Sequence, residues 1–150
     1  MATFALTGND TIILNDIPLN DFADGDIGTL EIPNNIFAIQ TGKDGNTIFA
    51  LDESGNNANL TVRLMMSSPD DKRLNGLVPN SASFAETVLL TGAVIKQVGD
   101  GTGKVSYNTY TMSGGLISKK PNIKTNVNGD TAQGVIEYTI MFANASRSIV

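Results

Sequence analysis

The 150-residue chain contains neither cysteine nor histidine. Without cysteine there can be no disulfide, no thiolate metal site and no thiol nucleophile. Without histidine the chain lacks the commonest general base and the commonest side-chain metal ligand. Its serines have no histidine to activate them, and the GxSxG motif does not occur. We therefore expect a non-enzymatic protein with no catalytic residue, no metal site and no cofactor.

Long apolar runs are also missing, since no stretch approaches the roughly 20 residues of a membrane helix. The first ten residues, MATFALTGND, lack a basic segment and turn polar early, so we expect no secretory leader. A chain of this length fits one domain over residues 1–150 and can bury roughly 70% of its unfolded surface. We expect a soluble protein without a membrane span.

Charge is unevenly distributed along the chain. The net charge is −5, but residues 1–53 hold nine Asp/Glu against Lys43 alone, which gives −8, and the remainder carries 9 − 6 = +3. Two regions of opposite sign favour complementary surfaces between copies of the chain, although a solvated acidic face is the alternative. Specific nucleic-acid binding is disfavoured, because no basic patch with interleaved aromatic residues is present.

Strand signals dominate the rest of the sequence. Alternating and β-branched runs predict strands over residues 11–14, 28–32, 58–66, 86–98, 104–117 and 136–142. In two of these strands the alternation predicts a core face, formed by Leu60, Val62, Leu64 and Met66 in one and by Ile136, Tyr138, Ile140 and Phe142 in the other.

A hairpin is predicted over residues 36–51, because Asp44-Gly45 between two apolar runs accepts the positive φ of a tight turn. Residues 119–131, rich in Lys, Asn and Gly, indicate a loop or a protected edge. The resulting fold class is mostly β: a β-sandwich or partly closed barrel of about seven strands with one short flanking helix.

That helix is predicted from Ser68 as cap and Pro69 at the first helical position, and it should stop near Gly76. Asp70 and Asp71 resemble a catalytic carboxylate pair. Acids in the first turn of a helix are more often there because they complement the helix dipole, so we interpret both as structural.

Two other motifs are weak. The loop Gly99–Lys104 has glycines like a phosphate-binding loop, but the required spacing places Val98 and Val105 at essential positions, so a hairpin turn is favoured. An EF-hand register fits Asn20–Glu31 in part. However, Phe22 replaces an oxygen ligand, and prolines rather than helices flank the segment.

Two longer segments carry a family resemblance. They read NDTIILNDIPLNDFADGDIGTLEIPN at 9–34 and SGGLISKKPNIKTNVNGDTAQGVIEYTIMFANASRSI at 113–149, and together cover about two fifths of the chain. Both resemble the tail-tube, or inner-tube, proteins of contractile-tailed bacteriophages.

The resemblance implies a β-sandwich or barrel-like subunit that forms hexameric rings, which stack into a hollow tube inside a contractile sheath. It implies tail sheath, baseplate and tail-terminator proteins as partners, and viral DNA that passes through the lumen without specific binding. It also implies a place in the tail of the virion after synthesis in the host bacterial cytoplasm. In that family, strands of adjacent subunits pair around the lumen, and terminal segments and long loops grip the next ring.

Charge and resemblance together nominate residues at contacts between subunits or in the lumen. The acidic candidates are Asp21, Asp24, Asp26, Glu31, Asp44 and Asp52, and the basic candidates are Lys119, Lys120 and Lys124. For each residue, a solvated surface position is the alternative.

Other functions stay open at this point. The expelled inner tube of a related injection or secretion machine and a capsid cement protein belong to the same structural class. A carbohydrate-binding β-sandwich is a different class, but it normally stacks exposed aromatic rings on sugar, and this chain has no tryptophan and three tyrosines. A small hydrolase is the weakest alternative.

Overall fold

A computed structural model describes residues 3–80 and 84–150 of the chain. The described chain is mostly β, as predicted. The strands are β1 (Ala5–Leu6), β2 (Thr11–Leu14), β3 (Ile17–Pro18), β4 (Gly28–Glu31), β5 (Phe37–Thr41), β6 (Thr47–Leu51), β7 (Ala58–Met65), β8 (Leu90–Gly99), β9 (Val105–Lys119) and β10 (Val135–Ile149). One α-helix, α1 (Pro69–Gly76), and three 3-10 turns, Glu53–Asn56, Phe84–Glu86 and Thr131–Gly134, complete the described elements.

Eight of the strands form one antiparallel sheet in the order β3-β2-β8-β9-β10-β7-β4, with β1 also paired to β8. The long strands β8, β9 and β10 form its centre. β1 and β2 follow one another along the same side of β8, with Leu6 opposite Val98 and Thr11 opposite Ile95. The remaining two strands, β5 and β6, pair only with each other.

The sheet curls until its two ends face each other across the core. A Cβ atom added to Gly28 on β4 would lie 2.6 Å from Cδ1 of Ile12 on β2, although these strands stand at opposite ends of the strand order. β2 and β4 are not hydrogen-bonded neighbours, so the curl stops short of a closed barrel. The expected partly closed barrel is confirmed.

The core lies inside this curl. Alternation places Leu60, Val62 and Leu64 of β7 at 1% exposure or less, and the four predicted residues of β10 are also buried. Met66 was predicted to share the core face and does not, since it remains 36% exposed. The reason is local: β7 ends at Met65, and the backbone turns at Ser67, whose φ is +64°.

Helix α1 closes one end of the core and has the bounds that its caps predict. The Ser68 hydroxyl accepts a hydrogen bond from the Asp71 N–H at 3.3 Å, and Pro69 occupies the first turn. Leu74 points inward and is fully buried. Within the described residues, no helix is long and apolar enough to span a membrane.

Candidate assembly surfaces

The motifs that could have carried chemistry have local structural roles. Gly99–Lys104 connects β8 to β9 as a hairpin turn, with φ of +82° at Gly101 and +92° at Gly103. Asp100 Oδ1 accepts hydrogen bonds from the Thr102 hydroxyl at 2.6 Å and the Thr102 N–H at 2.8 Å. These bonds hold the pKa of Asp100 below its usual value. The loop is therefore a hairpin turn, as predicted, and the Asp100 carboxylate stabilises it through bonds within the turn.

The EF-hand register at 20–31 does not form a calcium loop. Glu31, which would be the bidentate ligand, is the last residue of β4. The carbonyl oxygens of Asp24 and Asp26 accept hydrogen bonds from Arg63 Nη1 at 2.9 and 3.3 Å. Across residues 3–80 and 84–150, no group of three or more acidic side chains is placed to hold a metal ion.

Asp70 joins α1 to the segment before β4. Its Oδ2 atom accepts hydrogen bonds from the backbone N–H groups of Asn20 at 2.6 Å and Asp21 at 3.0 Å, while Arg73 Nη2 lies 3.0 Å from its Oδ1. Asp21 Oδ2 in turn accepts from the Asp70 N–H at 3.3 Å. The Asp21 side chain, a candidate for an interface, is therefore held within its own subunit.

Asp71 binds on the other side of α1. Its Oδ1 accepts from the Tyr138 hydroxyl at 2.7 Å, and its Oδ2 accepts from the Ser67 N–H at 2.8 Å. Burial raises the pKa of Tyr138, and the hydrogen bond to the Asp71 carboxylate raises it further. Both acids of α1 thus hold the helix in place, as their position in its first turn suggested.

Both strands of the β5–β6 hairpin are exposed along their whole length, although they carry several large apolar side chains. Directly paired residues share a face, so the pairs Phe37–Leu51 and Ile39–Phe49 form one apolar face. These four side chains are 55–66% exposed. We call them the apolar face of the hairpin.

The two faces of the hairpin differ in size and polarity. At the tip of the apolar face, the Thr41 and Thr47 hydroxyls lie 3.1 Å apart. The opposite face carries Ala38, Ala50 and Gln40, which are smaller or more polar, together with Ile48, which is apolar and 70% exposed. An amphipathic hairpin of this kind normally covers a core with its apolar face. Here that face stays exposed among residues 3–80 and 84–150.

A short neck holds the hairpin to the curled sheet. The Asp52 N–H donates to the Ile36 carbonyl at 2.6 Å, and a Cβ atom at Gly55 would lie 2.8 Å from the Asn35 carbonyl oxygen. Asp52 Oδ1 accepts from the Ser54 hydroxyl at 2.7 Å and from its N–H at 3.0 Å, which lowers the pKa of Asp52. The Asp52 carboxylate therefore stays charged at the base of the hairpin, and Asp44 lies in the turn at its tip.

Two adjoining clefts, which we call the loop clefts, lie beside the half of β7 that ends at Met65. One is about 380 Å³ and is bordered by Lys119, Lys120 and Lys124. The other is about 560 Å³ and is bordered by Met65 and Asp24. Both share Arg63, Ala132 and Val135 in their walls.

Charges in the clefts are only partly balanced. Arg63 Nε lies 3.3 Å from Glu137 Oε1, and Lys124 Nζ lies 3.8 Å from Asp130 Oδ2. Lys119 and Lys120 form no ion pair within the described part of the chain. The clefts therefore present two unpaired cations in walls that mix polar and apolar side chains.

The structure sorts the nominated residues into three places. Asp21, Asp24 and Asp26 lie near the Met65 end of β7, where the three lysines also border the loop clefts. Asp44 and Asp52 lie on the hairpin, at the Ala58 end of β7, and Glu31 ends the edge strand β4. The nominated acids of 21–26 and the lysines therefore share one end of the molecule, whereas the acids of the hairpin lie at the other end.

The apolar face of the hairpin was missing from the nominated residues. The signal was present in the runs FAIQT and TIFAL, which alternate strongly enough to predict strands. The alternation did not reveal that both strands remain exposed in the described part of the chain.

At the level of sequence, the chain matches no protein-family profile and no curated protein. Its fold does have close counterparts among solved structures. A chain in the sheath–tube complex of an extracellular contractile injection system, PVC, in its extended state superimposes with a TM-score of 0.59 at 12% identity. The alignment covers 96% of this chain and 90% of that one. This chain therefore has the fold of a component of a contractile sheath–tube complex.

A second counterpart comes from the same kind of machine. A chain of the PVC sheath/tube terminator in the extended state gives a TM-score of 0.54 at 12% identity, covering 95% of this chain and 94% of that one. Near-complete coverage in both directions means that the whole architecture is shared. The tail-tube-like fold inferred from the two terminal segments is confirmed.

Proposed function

We propose that the chain is a structural subunit that closes into hexameric rings, which stack into the hollow tube of a contractile tail. The observation that carries this proposal is the fold shared with a component of a contractile sheath–tube complex over 96% of the chain. The tube acts as a passive conduit inside a contractile sheath. Its subunits need no catalytic group, in keeping with the structural roles of Asp70, Asp71 and Asp100.

The edges of the sheet support assembly into rings. β4 pairs with β7 on one side only, and β3 ends the sheet at its other edge. Unpaired strand edges favour pairing with a neighbouring chain, and closure of a ring satisfies them without leaving open ends. In this proposal, adjacent subunits join through these edges.

The remaining roles follow from the proposed tube. Sheath, baseplate and tail-terminator proteins are the proposed partners, and viral DNA is the proposed cargo, passing through without specific binding. With −5 per chain, a ring of six carries 6 × −5 = −30, which disfavours adhesion of phosphate groups to the tube. The proposed location is the tail of a virion assembled in the host bacterial cytoplasm.

A second candidate is the expelled inner tube of an extracellular injection machine. It is favoured by the source of the two solved counterparts, both of which belong to such a machine. Isolation of the assembled particle separates the two: a DNA-filled head attached to the tube supports the phage tail, and a headless particle supports the injection machine.

Negative-stain electron microscopy of the purified chain over a range of concentrations tests the proposal. Hollow tubes of uniform width, built from six-fold rings, are the expected result. Rings that never elongate would favour a cement protein instead. A chain that stays monomeric at every concentration, alone and with its sheath protein, would overturn the proposed function.

A further inference from the structure

We propose that Asn128, in the loop before β10, is a site of spontaneous covalent modification, where deamidation converts the side-chain amide to a carboxylate. The sequence contains two Asn-Gly pairs, Asn75-Gly76 and Asn128-Gly129. The first pair lies at the end of helix α1, and the second lies in an exposed turn of the loop. This modification needs only a single chain and water, so it is independent of the proposed assembly.

Deamidation at an Asn-Gly pair is an intramolecular reaction. The backbone nitrogen of Gly129 gives up its proton and attacks Cγ of Asn128, and Nδ2 leaves with that proton as ammonia. The product is a cyclic succinimide, which water then opens. Cleavage of the new N–Cγ bond gives aspartate, whereas cleavage of the original peptide C–N bond gives isoaspartate, in which the chain runs through the former side chain.

The attacking nitrogen at Gly129 is accessible. Glycine has no side chain to hinder the approach of Cγ. Gly129 has a φ of +68°, and nothing lies within 4 Å of the position that a Cβ atom would occupy there. Among residues 3–80 and 84–150, the Gly129 N–H donates no hydrogen bond that would have to break before the attack. Both Asn128 and Gly129 are exposed.

The bonds on either side of Asn128 leave its side chain free to move. The Asn128 backbone N–H donates to Asn126 Oδ1 at 2.7 Å, and Asp130 Oδ1 accepts from the Ala132 N–H at 3.0 Å. Within the described part of the chain, no hydrogen bond holds the side-chain amide of Asn128. Cγ can therefore reach the Gly129 nitrogen by rotation about single bonds, without the loss of a contact.

The pair Asn75-Gly76 has the same reacting groups and is also exposed, but its backbone is helical. In an α-helix the N–H is committed to the carbonyl four residues earlier, and the backbone dihedral angles are fixed. The Asn75 carbonyl also accepts from the Val78 N–H at 3.4 Å. Reaction at Asn75 therefore requires the last turn of α1 to open first. We expect it to be at least about tenfold slower than at Asn128, equivalent to about 1.4 kcal/mol of added barrier.

Deamidation changes the charge of a basic loop. Residues 119–131 carry three lysines and one acid, Asp130, which gives 3 − 1 = +2, and a carboxylate at position 128 lowers this to +1. The new charge lies two residues before Asp130, whose Oδ2 is 3.8 Å from Lys124 Nζ. Isoaspartate also adds one carbon to the backbone of the turn. A freshly made chain and an aged chain thus present different surfaces in this loop.

Peptide mapping of the full chain tests the site. Purified protein is kept at mildly alkaline pH, sampled over time and digested briefly with trypsin, which places the two asparagines in separate peptides, residues 125–147 and 74–96. We expect Asn128 to become a mixture of aspartate and isoaspartate, with at least about tenfold less product at Asn75. Aspartate alone at position 128 would indicate direct hydrolysis of the amide and would overturn the succinimide route.

The chain unfolded in guanidinium chloride is the matched control. Each pair follows an apolar residue, Leu74 or Val127, so the two asparagines should react at similar rates once α1 has unfolded. A preference for Asn128 that is equally large in the unfolded chain would show that the fold does not direct the reaction.

The variant Asn128→Gln provides a second control, because glutamine keeps the amide but would have to form a larger ring. Ion-exchange chromatography of the aged, unmodified chain should show a growing acidic species that is absent from this variant. The same species in Asn128→Gln, or equal reaction of Asn75 and Asn128 in the folded chain, would overturn the proposal.

Discussion

Strand β7 and the β5–β6 hairpin have similar sequence patterns and opposite environments. Leu60, Val62 and Leu64 of β7 are at most 1% exposed, whereas Phe49 and Leu51 of the hairpin are each 66% exposed. In β7 the apolar face meets β2, β10 and α1 within the same chain. In the hairpin the corresponding face remains exposed among the residues that the structure describes. The same alternation thus builds the core in one element and leaves large apolar side chains exposed in the other.

Truncating one side chain in each region tests whether the two elements differ in their contribution to stability. Leu64→Ala should lower the free energy of unfolding by about 2–5 kcal/mol, because it leaves a cavity in a closed core. Phe49→Ala should change it by less than about 0.5 kcal/mol, as expected for an exposed side chain. Urea unfolding of the dispersed monomer measures both values. Equal losses in the two variants would mean that the hairpin is covered within its own chain.

Truncation of the hairpin side chain should affect assembly strongly, although it hardly affects the stability of the monomer. If a contact between subunits of the proposed tube buries the Phe49 side chain, Phe49→Ala should cost about 2 kcal/mol per contact, or roughly thirtyfold in the critical concentration for tube formation. Sedimentation of tubes across a dilution series measures that concentration. Ala50→Ser, on the opposite face, is the control and should leave it nearly unchanged. A similar rise in both variants would count against a one-sided contact.

The buried Tyr138 hydroxyl should make the stability of the folded chain depend on pH. The raised pKa of Tyr138 means that the folded chain holds the phenol proton more tightly than the unfolded chain, in which tyrosine titrates near pH 10. Its contribution to stability is therefore complete below about pH 10 and falls above it, by up to about 1.4 kcal/mol per pH unit.

The free energy of unfolding, obtained from chemical denaturation at a series of pH values between neutral pH and pH 11, measures this loss of stability. Tyr138→Phe should lack this part of the decline, although its stability at neutral pH is lower because the bond to Asp71 is gone. Tyr107→Phe, at a 43% exposed tyrosine, should retain the decline. If the unmodified chain, Tyr138→Phe and Tyr107→Phe lost stability identically with rising pH, the loss could not be assigned to the Tyr138 hydroxyl.

The smallest expected effect concerns charge at the clefts. Lys119→Glu/Lys120→Glu should raise the critical concentration several-fold at low salt, because exposed ion pairs contribute roughly 0–1 kcal/mol each. The effect should largely disappear near 1 M salt, where the screening length falls to about 3 Å. Lys104→Glu, on the β8–β9 turn, is the control. Unchanged tube yield and length at low salt in the double variant would exclude pairing by these lysines.

Much of the fold could be predicted because local signals agreed with the global structure. The caps of α1, the Asp-Gly turn of the hairpin and the alternation of β7 each specify their element without help from distant residues. β1 and β3, with two residues each, were missed because they are strands only through pairing with β8 and β2.

The end of β10 was missed for the same reason. Residues 143–149, ANASRSI, have weak alternation, and this segment is extended because residues 144–149 pair with residues 108–113 of β9. The predicted strand from Glu86 begins at Leu90, since residues 84–86 form a 3-10 turn. Long-range hydrogen bonds determined these boundaries, and no local pattern reports them.

The candidate surfaces were predicted less well than the fold. Charge could nominate Lys119 and Asp44, but it could not show that a cleft surrounds the first and that the second lies on a projecting hairpin. Alternation could locate the apolar residues of β5 and β6 without revealing their exposure. Exposure depends on what packs against a strand, and the described part of the chain leaves both strands of the hairpin exposed.

The neck at Asp52 and Gly55 has a mechanical consequence. The hairpin is about 17 Å long, since each strand has five residues at roughly 3.3 Å each. It joins the body where Gly55 touches the backbone of Asn35 and Ile36. A rotation of about 10° there moves the tip by about 3 Å, comparable to one residue of strand register. A methyl group at Gly55 would push the two backbone segments apart and change the direction in which the hairpin projects. This contact therefore sets the angle at which the hairpin leaves the body, and in the tube that we propose this angle contributes to the helical pitch.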